Sequence, residues 1–131
     1  MAATITTTIG IIAELFVKNT VAVASAVDAN VTTGASSSIF LIDVDNTLNT
    51  SAVYFKAVNA TSATVGTTTP VILFKVPAST RLSMSVSSTA TVTLGTGVSF
   101  WVSTDAGTGA APSGTNLDPS NNVTVRLLLD T

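Results

Sequence analysis

The stretch that decides the fold is Ser38–Ala60, which reads SIFLIDVDNTLNTSAVYFKAVNA. Two runs rich in β-branched and aromatic residues, Ile39–Val44 and Val53–Val58, flank a polar centre. Such runs suit a pleated, half-buried surface, whereas the Asp and Asn residues of the centre bond their own backbone and favour a turn. The pattern therefore predicts two neighbouring strands joined by a short loop. Because a lone pair of strands is marginal in water, the rest of the chain has to supply more strands.

Alternating apolar and polar residues recur along the rest of the chain. The clearest example is Arg81–Ser87, where one face is apolar and the other is polar, as in antiparallel sheets with one wet side. About eight such strands at regular spacing, with no helical stretch for parallel crossovers, predict an all-β fold: an antiparallel, jelly-roll-like β-sandwich. The alternation phase predicts these core residues: Phe40, Ile42, Val53, Phe55, Ile72, Phe74, Leu82, Met84, Val86, Phe100, Val125 and Leu127.

A length of 131 residues corresponds to one domain with a sizeable core. We predict that residues 1–20 form an N-terminal arm or irregular segment and that residues 21–131 form the sandwich. Ala2–Thr8 is small and rich in Thr, which suits an extended arm that clasps a neighbouring molecule. Ile9–Lys18 fits either a short helical turn or an irregular strand.

The composition excludes several classes of function. Only 9% of residues are charged and the net charge is −2, so five dispersed basic residues offer no patch for nucleic acid. The chain has no His and no Cys, which removes the commonest general base, thiolate chemistry and the usual transition-metal ligands. No apolar run is long enough for a membrane span, and the start lacks the pattern of a signal peptide. These features predict a non-enzymatic protein made in a cytosol, with no cofactor and no membrane or nucleic-acid partner.

One short motif points the other way. Phe40–Leu48 contains Asp43-x-Asp45-x-Thr47 after an apolar run, and this resembles the first motif of haloacid-dehalogenase-type phosphatases. The resemblance implies that Asp43 attacks phosphorus, that Asp45 moves a proton, and that magnesium neutralises charge. That family also needs a parallel sheet flanked by helices, a downstream Lys and a later acidic pair. Since the sequence shows no such context, we predict that the two aspartates end a strand and that the chain lacks phosphatase activity.

The other candidate residues concern ions and partners. The spacing of Asp43, Asp45, Asp105 and Asp118 fits no calcium loop, so no metal site is predicted. The interface candidates are Trp101, Tyr54, Ile5 and Ile9. Trp101 is opposite in phase to Phe100, which makes it either an exposed interface anchor or a residue on a covered second face. Tyr54 shares a face with Lys56, and that face is either solvated or in contact with a neighbour.

A wider resemblance runs from Ile42 to the C-terminus. The residues that carry it are Asp45-Asn46-Thr47 with Asn49, Ala52–Lys56, Ala63–Thr68 with Pro70, Val76-Pro77-Ala78, Gly97–Phe100 and Asn122–Val125. With these motifs the chain resembles small virion proteins of tailed bacteriophages, notably phages of cyanobacteria and other aquatic bacteria. The motifs are of turn-and-strand type, and the first 37 residues match less well.

The resemblance implies a structural virion protein that decorates or cements the capsid. Its partners would be the major capsid protein and further copies of the chain. Proteins of this kind commonly assemble as trimers on a local symmetry axis. The chain would then be located on the capsid surface. The alternative is a tail-associated sandwich, a fibre or receptor-binding module that recognises host-surface glycans. A scaffold without catalysis, cofactor or redox chemistry also agrees with the composition.

Overall fold

The structure is a computed structural model that describes residues 2–5, 15–21, 27–85, 92–104, 106 and 123–130, with backbone only for 2–5, 15, 16 and 19–21. These residues form nine strands and no helix. The strands are β1 (Ala2–Ile5), β2 (Leu15–Val21), β3 (Ser37–Asp45), β4 (Val53–Asn59), β5 (Ile72–Val76), β6 (Arg81–Ser85), β7 (Val92–Leu94), β8 (Val98–Ser103) and β9 (Val123–Asp130). Among the described residues there is accordingly no helix long and apolar enough to cross a membrane.

The strands form two antiparallel sheets, as expected of a β-sandwich. The first sheet has the order β1-β2-β9-β3-β6, and β7 also pairs with β3. The second sheet has the order β5-β4-β8, and a single bridge joins Asp28 to Phe100 on the far side of β8. The predicted all-β sandwich is therefore confirmed. Its jelly-roll connectivity stays a prediction, because the outer neighbour of β8 is one bridge and not a strand.

The core lies between the two sheets. Alternation in β9 buries Val123, Val125, Leu127 and Leu129 completely, and β4 and β8 contribute Phe55 and Phe100 from the other side. The ring of Phe55 stacks on those of Phe74 and Phe100, with centroids 5.2 and 5.7 Å apart. Aromatic pairs at this separation add to the stabilisation that burial alone provides.

A β-bulge in β3 changes the predicted core. Ile39 pairs with Leu129 but Leu41 pairs with Leu128, so Phe40 is the extra residue in the ladder. The alternation phase shifts there, which places Ile39 in the core and leaves Phe40 buried but outside the core cluster. Phe40 is therefore buried as predicted but lies outside the core cluster, whereas Ile42 beyond the bulge belongs to that cluster.

The edge strands of the two sheets account for the other differences between the predicted and the observed core residues. Ile72, Phe74 and Leu82 are only partly buried and pack against the core, because β5 and β6 each have one neighbouring strand in the described part of the chain. Met84 was predicted to be buried but is 36% exposed on β6. Val86 lies outside the described residues. The remaining predicted core residues, Val53, Phe55, Phe100, Val125 and Leu127, are fully buried.

The first sheet also includes the N-terminal strands β1 and β2. β2 pairs with β9 along its whole length, from Leu15–Leu129 to Val21–Val123, and Val17 belongs to the core. β1 in turn pairs with β2, so Ala2–Ile5 are part of the first sheet and not a free arm. Among the described residues strand pairing continues across residue 20, and the boundary there stays a prediction.

Candidate functional site

The aspartate of the phosphatase-like motif is the centre of an ion-pair network. Asp43 follows Ile42 in β3 and so faces away from the core. The register places Ser83 of β6 beside it on one side and Arg126 of β9 on the other. Strand pairing therefore brings together three polar side chains that are far apart in the sequence.

Both carboxylate oxygens of Asp43 accept hydrogen bonds. Arg81 donates through Nε to Oδ1 at 2.9 Å and through Nη2 to Oδ2 at 3.0 Å, a two-pronged contact. Arg126 Nη1 donates to Oδ2 at 2.8 Å, and Ser83 Oγ donates to Oδ1 at 2.5 Å. The Asp43 side chain is 3% exposed, whereas those of Arg81 and Arg126 are 54% and 25% exposed. The network thus holds a buried anion between two partly solvated cations.

This environment sets the charge state of Asp43. Burial alone would raise the pKa of the carboxyl group, since it penalises the charged form. The hydrogen bonds from Arg81, Ser83 and Arg126 outweigh burial and lower the pKa of Asp43 to about 2. Asp43 is therefore ionised at neutral pH, and its charge serves to join β3 to β6 and β9.

The second aspartate of the motif stabilises a turn. Asp45 Oδ1 accepts hydrogen bonds from Thr47 Oγ1 at 2.6 Å and from the Thr47 backbone N–H at 3.1 Å. The hydroxyl bond is the main reason why the pKa of Asp45 lies below its usual value. The motif residues Asp45 and Thr47 thus cap the end of β3, as their turn-forming chemistry predicts.

Asn46 ties this turn to the second sheet. Its side chain is fully buried, and Nδ2 donates to the carbonyls of Ser51 at 3.0 Å and Pro77 at 2.9 Å. Its backbone N–H donates to the carbonyl of Thr80 at 2.9 Å. One side chain therefore joins the β3–β4 connection to the segment between β5 and β6. The sequence marks Asn46 only as a loop residue, because Pro77 and Thr80 lie more than thirty positions away.

The surroundings of the motif differ from those a phosphatase needs. The described residues form antiparallel sheets, not a parallel sheet flanked by helices, and they contain no group of three or more acidic, His or Cys side chains that could hold a metal ion. Asp43 has no free oxygen to attack phosphorus. Asp105 and Asp118, the other acidic candidates, lie outside the described residues.

We expect no magnesium-dependent hydrolysis of p-nitrophenyl phosphate, because an attack by Asp43 would first require both arginines to withdraw. A colorimetric assay of the purified protein at neutral pH checks this. Hydrolysis by the wild type that is abolished in Asp43→Asn would contradict the structural role assigned to Asp43.

The aromatic interface candidate, Trp101, lies on the face of β8 that its phase predicts, and that face is covered. Trp101 lies on the face of β8 opposite Phe100, yet it is only 2% exposed. Its register partner Lys56 is 2% exposed as well, and Lys56 Nζ donates to Ser103 Oγ at 3.0 Å. Both faces of the β4–β8 pair are thus buried. Trp101 is therefore not a surface anchor of this chain, and the interpretation of a covered second face is the correct one.

The other interface candidates keep the status of predictions. Tyr54 is half-buried beside Ser103. Ile5 pairs with Leu15 at the end of β1, and Ile9 lies outside the described residues.

The three partners of Asp43 in the network, Arg81, Ser83 and Arg126, were not recognised from the sequence. Arg81 and Arg126 read as ordinary wet-face residues of their strands, and nothing in their local sequence links them to Asp43. The sequence does show that each arginine lies on the polar face of its strand. It does not show the register that aligns β3, β6 and β9, which is known only from the structure.

Comparisons of the chain with models of protein families, with curated proteins and with solved structures found no match.

Proposed function

We propose that this chain is a structural virion protein of a tailed bacteriophage that decorates or cements the capsid. Three observations support the proposal: the β-sandwich, the scarcity of charge, and the resemblance of the turn and strand motifs to phage virion proteins. The strand order of the two sheets is the observation that carries it.

The strand order agrees with a jelly roll when the bridged segment around Asp28 is counted as a strand. Apart from β1 at its edge and β7 beside β3, the first sheet reads β2-β9-β3-β6, and the second then reads Asp28-β8-β4-β5. Asp28 and Phe100 exchange backbone hydrogen bonds of 2.9 and 3.1 Å, and the Val31 N–H donates to the Val98 carbonyl at 2.9 Å, so the segment runs alongside β8. In a jelly roll the strands, taken in sequence order, are divided between the two sheets in this way. The fold is common in viral capsid proteins.

Three of the buried polar side chains connect elements of the scaffold. Asp43 joins three strands, Asn46 joins two loops, and Lys56 is buried against Ser103. The function proposed here requires only a rigid body and a surface that binds protein. Decoration of a shell, with the major capsid protein and further copies of the chain as partners, meets that requirement.

We expect attachment to the capsid to resist salt. Only 12 of 131 residues are charged (five basic and seven acidic), so attraction between charges contributes little. Contacts through apolar groups and uncharged hydrogen bonds are not screened, whereas exposed charge pairs are. Washing purified phage particles in about 0.1 M and then about 1 M NaCl should therefore leave the amount of bound protein unchanged in a quantitative immunoblot. Release at the higher concentration would mean that the interface is electrostatic.

The location of the protein separates this function from the tail-associated alternative. Antibody labelling of intact particles in the electron microscope should mark the head shell. Jelly rolls also occur in lectins, so a glycan array is the matched experiment. Labelling of the tail together with binding to host-surface glycans would overturn the capsid proposal in favour of a receptor-binding module.

A further inference from the structure

β6 is an edge strand that lacks the usual protection. Among the described residues it pairs only with β3, and four of its five residues are exposed. Natural edge strands are commonly blunted by proline or by exposed lysine. β5, at the edge of the other sheet, has both: Pro70 and Pro77 flank it and Lys75 is exposed within it. β6 has no proline, and its sequence Arg-Leu-Ser-Met-Ser carries one charge.

That one charge is directed away from the free edge. The guanidinium of Arg81 makes its two-pronged contact with Asp43 of β3. That strand lies on the side of β6 away from the free edge. The positions from Leu82 to Ser85 are uncharged. Backbone pairing along this edge would therefore meet little repulsion between charges.

The polarity of β6 is symmetric about its centre. From Arg81 to Ser85 the residues are polar, apolar, polar, apolar and polar. The pattern is therefore the same in both chain directions, with Ser83 at its centre. Antiparallel pairing of this strand with its own copy places Ser83 opposite Ser83, Leu82 opposite Met84, and Arg81 opposite Ser85. Each apolar residue then meets an apolar one, and the two arginines lie at opposite ends of the contact.

We propose that β6 is a self-association edge, at which two copies of this chain pair antiparallel about a two-fold axis through Ser83. The pairing joins the first sheets of the two copies and covers Met84, which is 36% exposed in the single chain. A five-residue strand buries far less than the roughly 1,000 Å² typical of a stable interface. The dimer is therefore weak and dependent on concentration, and it does not rest on the function proposed above.

Charge at Ser85 provides the first test, because that exposed residue would lie opposite Arg81 of the second copy. Ser85→Glu creates two opposite-charge pairs per dimer, and Ser85→Lys creates two like-charge pairs. Sedimentation velocity over a concentration series should show a dimer for wild type. Its dissociation constant should be lowered by Ser85→Glu and raised by Ser85→Lys, with about a tenfold difference between the two variants. A strictly monomeric wild type, or equal constants for the two variants, would overturn the proposal.

Single cysteines provide the second test, since the chain has none of its own. Residues opposite each other in an antiparallel pair have Cα atoms about 4.5–5.5 Å apart, which is within disulfide range. Under mild oxidation Ser83→Cys should form a covalent dimer on a non-reducing gel, whereas Ser62→Cys, at an exposed loop serine, should form much less. Circular dichroism verifies that both variants keep the sheet spectrum. If the two folded variants cross-linked equally, the copies would not contact each other through β6, and the proposed pairing would be refuted.

Discussion

Replacing Phe55 with alanine is expected to lower the free energy of unfolding by about 3–5 kcal/mol. Phe55 is fully buried and lies between the rings of Phe74 and Phe100, so the substitution loses both stacking contacts and leaves a cavity between the sheets. A domain of this size has a total stability of about 5–15 kcal/mol, which makes the loss a large part of the whole. Urea denaturation gives the magnitude, with fluorescence of the single, buried Trp101 as the signal.

Phe74→Ala is the matched control for Phe55→Ala. It removes the same number of atoms from the other member of one stacked pair, but Phe74 is only partly buried on the edge strand β5. We expect a smaller loss of about 2 kcal/mol, because water reaches part of the space that the ring leaves. If the two variants were equally destabilised, Phe55 would not be at the centre of the core.

Acid should destabilise the protein through Asp43. The pKa of this carboxyl group is about 2 in the folded chain and 3.8 as its ordinary value, so the folded state holds the ionised form more strongly. The resulting stabilisation, about 2 kcal/mol, is fully present above about pH 4 and disappears as the pH falls towards 2. In Asp43→Asn this part of the pH dependence should be missing, and stability at neutral pH should be lower, since Arg81 and Arg126 lose their shared anion.

Asp45→Asn is the control for the acid experiment. Asp45 also has a lowered pKa, but its hydrogen bonds are to Thr47 within the same turn and hold no other strand. We expect a smaller change in the dependence of urea midpoints on pH between about 5 and 2. If Asp45→Asn flattened this dependence more than Asp43→Asn did, the network across β3, β6 and β9 would not be the main acid-sensitive element.

The sequence predicted the fold class because alternation within a strand is a local property. Leu127 and Phe55 keep the phase of their strands from end to end, and both are in the core. The prediction failed where a strand had no neighbour on one side, as at Met84, and it missed the shift of phase that leaves Phe40 buried but outside the core cluster. Neither a bulge nor an edge changes the order of apolar and polar residues, so neither can be recognised from the pattern alone.

The site was less predictable than the fold. Asp43 was singled out because of a motif, but its partners depend on the register of three strands. The burial of Trp101 and Lys56 has a similar cause, since the alternation of β8 places Trp101 on a second face without saying whether that face is covered. Contacts between strands that are far apart in the sequence could therefore not be predicted from the sequence.

The position of β9 has a consequence for the order of events during synthesis. β9 lies between β2 and β3 in the first sheet, and its four core residues are completely buried. Until Val123–Asp130 have left the ribosome, β2 and β3 have no strand to join them and the first sheet stays open. We infer that the first sheet closes only after β9 has been synthesised, in a late and slow step typical of sheets built from long-range pairings. Before that step, the unpaired edges of β2 and β3 are the surfaces on which a chaperone would act.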